Sequence, residues 1–192
     1  NERNVFVVNN DLSHLKFSNL RYKKISFDEV CYHLLSFIEK APDYHYKLSV
    51  GSDSQVTSNC TLLVSAIHLH RVGHGATGFI TKEVIPRPIL SLREKIFYET
   101  SFTMQIAYMF TPEIIDSFIE PIYNTKHGNI NFEFHLDVGV NGDTKALIGE
   151  MVSMANIYPF EPKIKPESYA ASSYANKHTK KIHNLKIKKQ KN

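Results

Sequence analysis

Three apolar, β-branched segments, Tyr46–Val56, Cys60–Arg71 and Ala76–Ile85, follow one another across connections of a few residues. Parallel neighbours in a sheet need a crossover of a dozen or more residues. These segments can therefore pair in succession only as an antiparallel meander, with the glycine turn Val72–Gly75 before the third strand. Pro86-Arg-Pro88 ends the run, and the pattern then changes to helix. A long helix is predicted over Leu92–Phe110, stopping before Pro112, and a shorter one over Glu113–Ile119. The segment Ile130–Val138, INFEFHLDV, alternates as a strand. Asp143 caps a predicted helix through about Tyr158, with Leu147, Ile148, Met151 and Met154 as its apolar face. A short strand, Glu161–Lys165, and an alanine- and serine-rich helix from Glu167 complete the order. Upstream, Ser26-Phe-Asp-Glu29 is a capping box opening a helix that runs past Ile38 and stops at Pro42-Asp43. The expected fold is α/β: a mixed five-stranded sheet, three antiparallel strands then two parallel βα units, with helices on both faces. Residues 1–25 read as an N-terminal arm, 26–180 as one domain and 181–192 as a basic tail.

The acids give this order chemical content. Asp53, in GSDSQV, stands near the end of the first strand among residues that also form turns, so punctuation and chemistry are both open for it. Asp137, in FEFHLDVG, holds a similar place on a strand expected beside the first. Two neighbouring strands that each bring an aspartate to one edge set like charges close together, an arrangement favoured only by protonation or a cation. A hard divalent ion, Mg2+ or Mn2+, suits such ligands. On the long helix, Ser91-Leu-Arg-Glu94 is a second capping box, which gives Glu94 a structural role. Glu99 instead falls on the inward stripe of Leu92, Ile96, Thr103, Ile106 and Phe110. A carboxylate there needs a partner: a metal shared with Asp53 and Asp137, or a buried Lys or Arg.

Charge is distributed unevenly. Seven of the 23 Lys and Arg lie beyond Glu167, so the remaining 16 face all 19 acids, −3 against +7. A lysine tail of this kind is the electrostatic footprint of a polyanion partner, or a solvated terminus. With 42% apolar and 22% charged residues the composition is that of a soluble globular protein. The opening NERNVFVVNN is unlike a secretory leader, no run is long enough to span a membrane, and Cys31 and Cys60 lack metal-type spacing. The expectation is a cytoplasmic protein with no membrane partner.

Read in order, GSDSQV, VIPRPILSLREKIFYETS, HLDVGVNGDTK and EPKIKPESYAASSYANKHTK resemble the YkuK family, also called DUF458, of ribonuclease H-like proteins. The similarity runs from about Ser26 to Lys180. It implies a ribonuclease H-like fold with the first strand central, and a nuclease whose acidic triad falls on Asp53, Glu99 and Asp137. The fold usually adds a fourth ligand from its last helix, where Glu167 and Asn176 are the candidates. Glu167 also suits a helix N-terminus as a dipole-compensating acid, and Asn176 a surface amide. Superfamily nucleases often carry Asp on that helix, so Asn176 as the ligand implies weakened metal binding. Ser54, Gln55, Lys145, Lys177 and Lys180 are the candidate contacts to a nucleic acid substrate, whether RNA, DNA or hybrid.

Other motifs fall away. GVNGDTK fails the spacing of a phosphate loop, and no GxSxG elbow occurs. His68, His70 and His74 have the look of a zinc cluster without a further ligand set. His135 shares a strand face with Asp137 and borders the same edge. The expected function is metal-dependent hydrolysis of phosphodiester bonds. The alternative is a catalytically weak ribonuclease H-like module that binds nucleic acid or protein.

Overall fold

The structure, a computed structural model, describes residues 12–139 and 144–168. The element order is α1 (Phe27–Glu39), β1 (His45–Val56), β2 (Thr61–Arg71), β3 (Ala76–Ile85), α2 (Leu92–Tyr108), α3 (Pro112–Tyr123), β4 (Asn129–Gly139), a 3-10 turn (Lys145–Leu147), α4 (Ile148–Met154) and β5 (Glu161–Lys165). One five-stranded sheet runs β3-β2-β1-β4-β5. The first two pairings are antiparallel, and β1–β4 and β4–β5 are parallel. The mixed sheet expected from the element order is therefore present, with β1 at its centre.

Local chemistry accounts for much of this. Ser26 caps α1 in a reciprocal box, its hydroxyl accepting from the Glu29 amide while Glu29 accepts from the Ser26 amide. Gly73 and Gly75 both take positive φ in the β2–β3 turn, where a Cβ is disfavoured. At α2 only half of the expected box forms. Ser91 accepts from the Glu94 amide, but the Glu94 carboxylate turns away to pair with Arg87. The helix expected over 143–158 is also shorter: its α-helical part ends at Met154. Pro159 disfavours helical backbone at Tyr158, and a bridge between Ile157 and Phe160 leads into β5 instead.

Residues paired in register share a face of the sheet, and successive residues alternate. Tyr46, Leu48 and Val50 of β1 join Leu34, Ile106, Phe118 and Phe134 in the main core. Val64, Ala66 and Ile80, with Leu62 beside them, form a smaller cluster on the opposite face. Glu167 and Ser168, expected to open a helix, lie in a turn, and the rest of that helix falls outside the described residues. On α2 the inward stripe holds at Ile96, Glu99, Thr103 and Ile106, but Leu92 is exposed at the first turn.

The segment before α1 is tied to the body from Leu12 onward. Leu15 and Phe17 are buried in the main core. Phe17 pairs with Ile25, and Ser18 pairs with Ile80 on β3. Phe17→Ala should therefore destabilise the protein by about 3–5 kcal/mol, the cost of emptying a buried aromatic site. Urea unfolding measures this; a change below ~0.5 kcal/mol would mean that Phe17 packs as a surface residue.

Candidate active site

The parallel pairing of β1 with β4 ends at Gly51↔His135. Two residues further along each strand stand Asp53 and Asp137. In continued register they would be the next pair on the same face, like charges directly opposed. The ladder stops one step short of that arrangement. Asp53 remains paired on its other side, opposite Val64 of β2.

Ser52 and Ser54, flanking Asp53, point the opposite way, toward α2. The buried Ser54 hydroxyl donates to Glu99 Oε1 at 2.7 Å. Ser52 meets Thr103 Oγ1 at 2.6 Å and is in short contact with the Ser65 hydroxyl, so three hydroxyls link β2, β1 and α2. Thr103 also donates to the Glu99 carbonyl at 2.8 Å. The small side chains let α2 lie close to the strand, and their hydroxyls fix the turn that carries Glu99. Thr100, on the same turn, touches Met151 of α4. Ser52, Ile96, Glu99, Thr100, Thr103, His135, Leu136 and Asp137 enclose a cleft with no room for a water-sized sphere.

Glu99 is the acid whose chemistry is most altered. Its side chain is 5% exposed. Burial raises its pKa from 4.5 to about 7, against the pull of Lys95 and the Ser54 hydrogen bond, and the charges of Asp53 and Asp137 push it further up. Lys95 Nζ lies 3.5 Å from Glu99 Oε1, one helical turn away. Asp137 Oδ1 is buried without accepting a directed hydrogen bond, and the Lys165 ammonium of β5 stands in ion-pair contact with it.

Fold and sequence thus bring Asp53, Glu99 and Asp137 into one electrostatic neighbourhood. They are not drawn onto one point: among the described residues, no three of His, Cys, Asp and Glu are grouped to hold a metal ion. The donors themselves suit a hard divalent cation: three carboxylates, one of them buried and one with an oxygen that accepts no directed hydrogen bond. Lysines stand against two of them, Lys95 against Glu99 and Lys165 against Asp137.

The remaining candidates separate. Ser54, expected at a substrate, is engaged with Glu99 and buried. Gln55 is half-buried on the Asp53 face of β1. Lys145 is exposed at the start of the 3-10 turn. Glu167 is exposed in the turn after β5. Asn176, Lys177 and Lys180 lie outside the described residues. His135 is buried, with Nε2 at 2.8 Å from Glu133 Oε2, and Lys47 pairs with the same glutamate at 3.3 Å. His68 stands beside His70 on its face of β2, and burial lowers its pKa to about 4, helped by His70 and His135. Sequence reasoning missed Lys95 and Lys165 as counter-ions. Lys95 was visible as the i, i+4 neighbour of Glu99; Lys165 required knowing that β5 lies beside β4.

Comparison with known proteins agrees with this architecture. A family model described as Ribonuclease H-like matches residues 29–180. A curated relative from Bacillus subtilis (strain 168), named "Uncharacterized protein YkuK", is 41% identical over 170 residues, spanning 85% of this chain and 96% of the relative. No solved structure gives a significant match.

The folded protein holds the Glu99 proton more tightly than the unfolded chain does. This contribution to stability is full below pH 4.5 and is lost as pH rises through about 7. In chelator, Glu99→Gln should remove that loss and gain on the order of 3 kcal/mol relative to the parent between pH 4.5 and pH 8. Urea midpoints across this range report it, and parallel pH profiles for the two proteins would contradict it.

Proposed function

This chain belongs to the ribonuclease H-like family, and within it to the YkuK proteins, and on that premise we propose that it is a divalent-metal-dependent nuclease acting on phosphodiester bonds of nucleic acid. The observation that carries the reading is the end of β1–β4 pairing just before Asp53 and Asp137, with the Glu99 carboxylate buried on the α2 side of the same strand ends and within reach of both charges. Asp53, Asp137 and Glu99 would hold the cation, with Glu167 or Asn176 as the further ligand. Mg2+ or Mn2+ bound there would activate water and stabilise the leaving oxygen of a phosphodiester. Glu99 holds a proton at its carboxyl below about pH 7 and carries its charge above it. The Ser54 hydroxyl and the Ser52–Thr103 link fix the position of that carboxyl. Lys165 keeps positive charge at the open edge, where a phosphate would approach.

A second reading has its own support. Lys95 and Lys165 already neutralise two of the three acids, as in a catalytically weak module that binds nucleic acid or protein without cleavage.

Mn2+ titration followed by thermal stability, with a cleavage panel of RNA, DNA and hybrid, separates the two. The nuclease reading expects saturable Mn2+ stabilisation and cleavage, with Asp53→Asn losing the stabilisation and at least ~100-fold in rate. It also expects Lys165→Gln to lower the Mn2+ midpoint, because a competing ammonium is removed. Absence of both Mn2+ stabilisation and cleavage in the parent protein would leave the binding module.

A further inference from the structure

A groove of about 610 Å3 lies away from the acids, between residues 14–24 and β3. Its wall is a small hairpin. Phe17 and Ile25 exchange backbone hydrogen bonds, both 2.9 Å, and Ser18 exchanges a second pair with Ile80, at 2.8 and 2.9 Å. The tip is internally fixed. Asn19 Oδ1 accepts from the Arg21 and Tyr22 amides, Asn19 Nδ2 donates to the Gly78 carbonyl, and the Lys24 amide donates to Ser18 Oγ. Lys24 holds a φ of 55°, in the left-handed region that a non-glycine residue adopts at a cost. Tyr22 anchors the hairpin by stacking on His33, with ring centroids 4.0 Å apart.

Positive charge predominates on this frame. Lys16, Lys23, Lys24 and Lys82 line the groove, and among the described residues one carboxylate, Glu83, lines it too and contacts His14. The Lys82 ammonium is held below its ordinary pKa by desolvation and by the charge of Lys23, whose own ammonium donates to the Asn19 carbonyl. The backbone that carries these lysines is already ordered, which lowers the cost of gathering them on an anion.

The register relates the groove to the acids. Lys82 pairs with Val64, and Val64 with Asp53, so Lys82 and Asp53 share one row and one face of the sheet. Two strand spacings separate them, on the order of 10 Å. Val64 between them is fully buried, so the groove is a separate station, not an extension of the cleft.

We propose that this groove binds the phosphodiester backbone of a nucleic acid through Lys16, Lys23, Lys24 and Lys82, without reading its sequence. The inference deepens the proposed function and rests on it for the identity of the polyanion. A membrane surface is the poorer match, because a plane of headgroups cannot follow a concave groove and a flexible phosphate chain can.

The test uses the full chain in chelator, where cleavage plays no part. Fluorescein-labelled single-stranded RNA, single-stranded DNA and a hybrid duplex are titrated by anisotropy between about 50 and 200 mM salt. The variant K16Q/K23Q/K82Q should bind more weakly, with a log–log salt slope shallower by about 2–3, and K16R/K23R/K82R should keep the parent slope. Lys24 is left in place because of its backbone conformation. Should the triple glutamine variant fail to fold, Lys82→Gln alone should lower the slope by about 0.7–0.9. An unchanged slope and affinity in the glutamine variants would overturn the proposal, as would binding to phosphatidylserine vesicles with none to the oligonucleotides. Groove-dependent binding by a parent protein that cleaves nothing with Mn2+ would sink the nuclease reading and leave the groove standing.

Discussion

A carboxylate buried between a helix and the central strand is the constraint around which this molecule is arranged. Glu99 is nearly sealed from water, and an isolated charge in such a place is strongly disfavoured. Three features make it tolerable: the Ser54 hydroxyl, the nearby Lys95 ammonium, and a pKa that leaves the group partly protonated near neutrality. Each makes a demand on the sequence. Serines must occupy the α2-facing side of β1, and the helix must approach closely enough for Thr103 to meet Ser52. What reads as a weak, hydroxyl-rich end to a core strand is the surface that accepts the helix.

The sheet adds a second constraint. Antiparallel pairing to β2 holds β1 along its length through Val56, whereas parallel pairing to β4 ends at Gly51. The central strand is thus supported on one side and released on the other where its aspartate emerges. Strand alternation then divides the labour: Asp53 lies on one face, while Ser52 and Ser54 reach the helix on the other. The edge of the sheet carries charge without losing the packing that positions it.

Local signals were the legible part. The capping box at Ser26, the glycine turn at Gly73 and Gly75, the alternation of the strands and the order of elements are written within a few residues each. Asp53, Glu99 and Asp137 could be singled out because strand ends and a helical stripe are periodic features. Other features depend on contacts distant in sequence. Glu94 could not be assigned to Arg87 from its spacing to Ser91, and Phe17 gives no local sign that it is buried in the core. The roles of Ser52 and Ser54 follow from alternation once α2 is placed, and sequence alone left Ser54 looking like a substrate contact. The pairing of Lys165 with Asp137 follows only from the neighbour relation of β5 and β4.

The two lysines against the acids carry a thermodynamic implication. Small domains that recruit a metal to cancel mutual repulsion often cannot fold without it, so loading and folding are one event. Here ammonium groups from α2 and β5 supply the cancelling charge from within the chain. Two of the three acids thus have internal counter-ions that do part of what a bound cation would otherwise do for the fold. A cation drawn to these carboxylates would have to displace lysine, so its affinity would be set partly by that exchange.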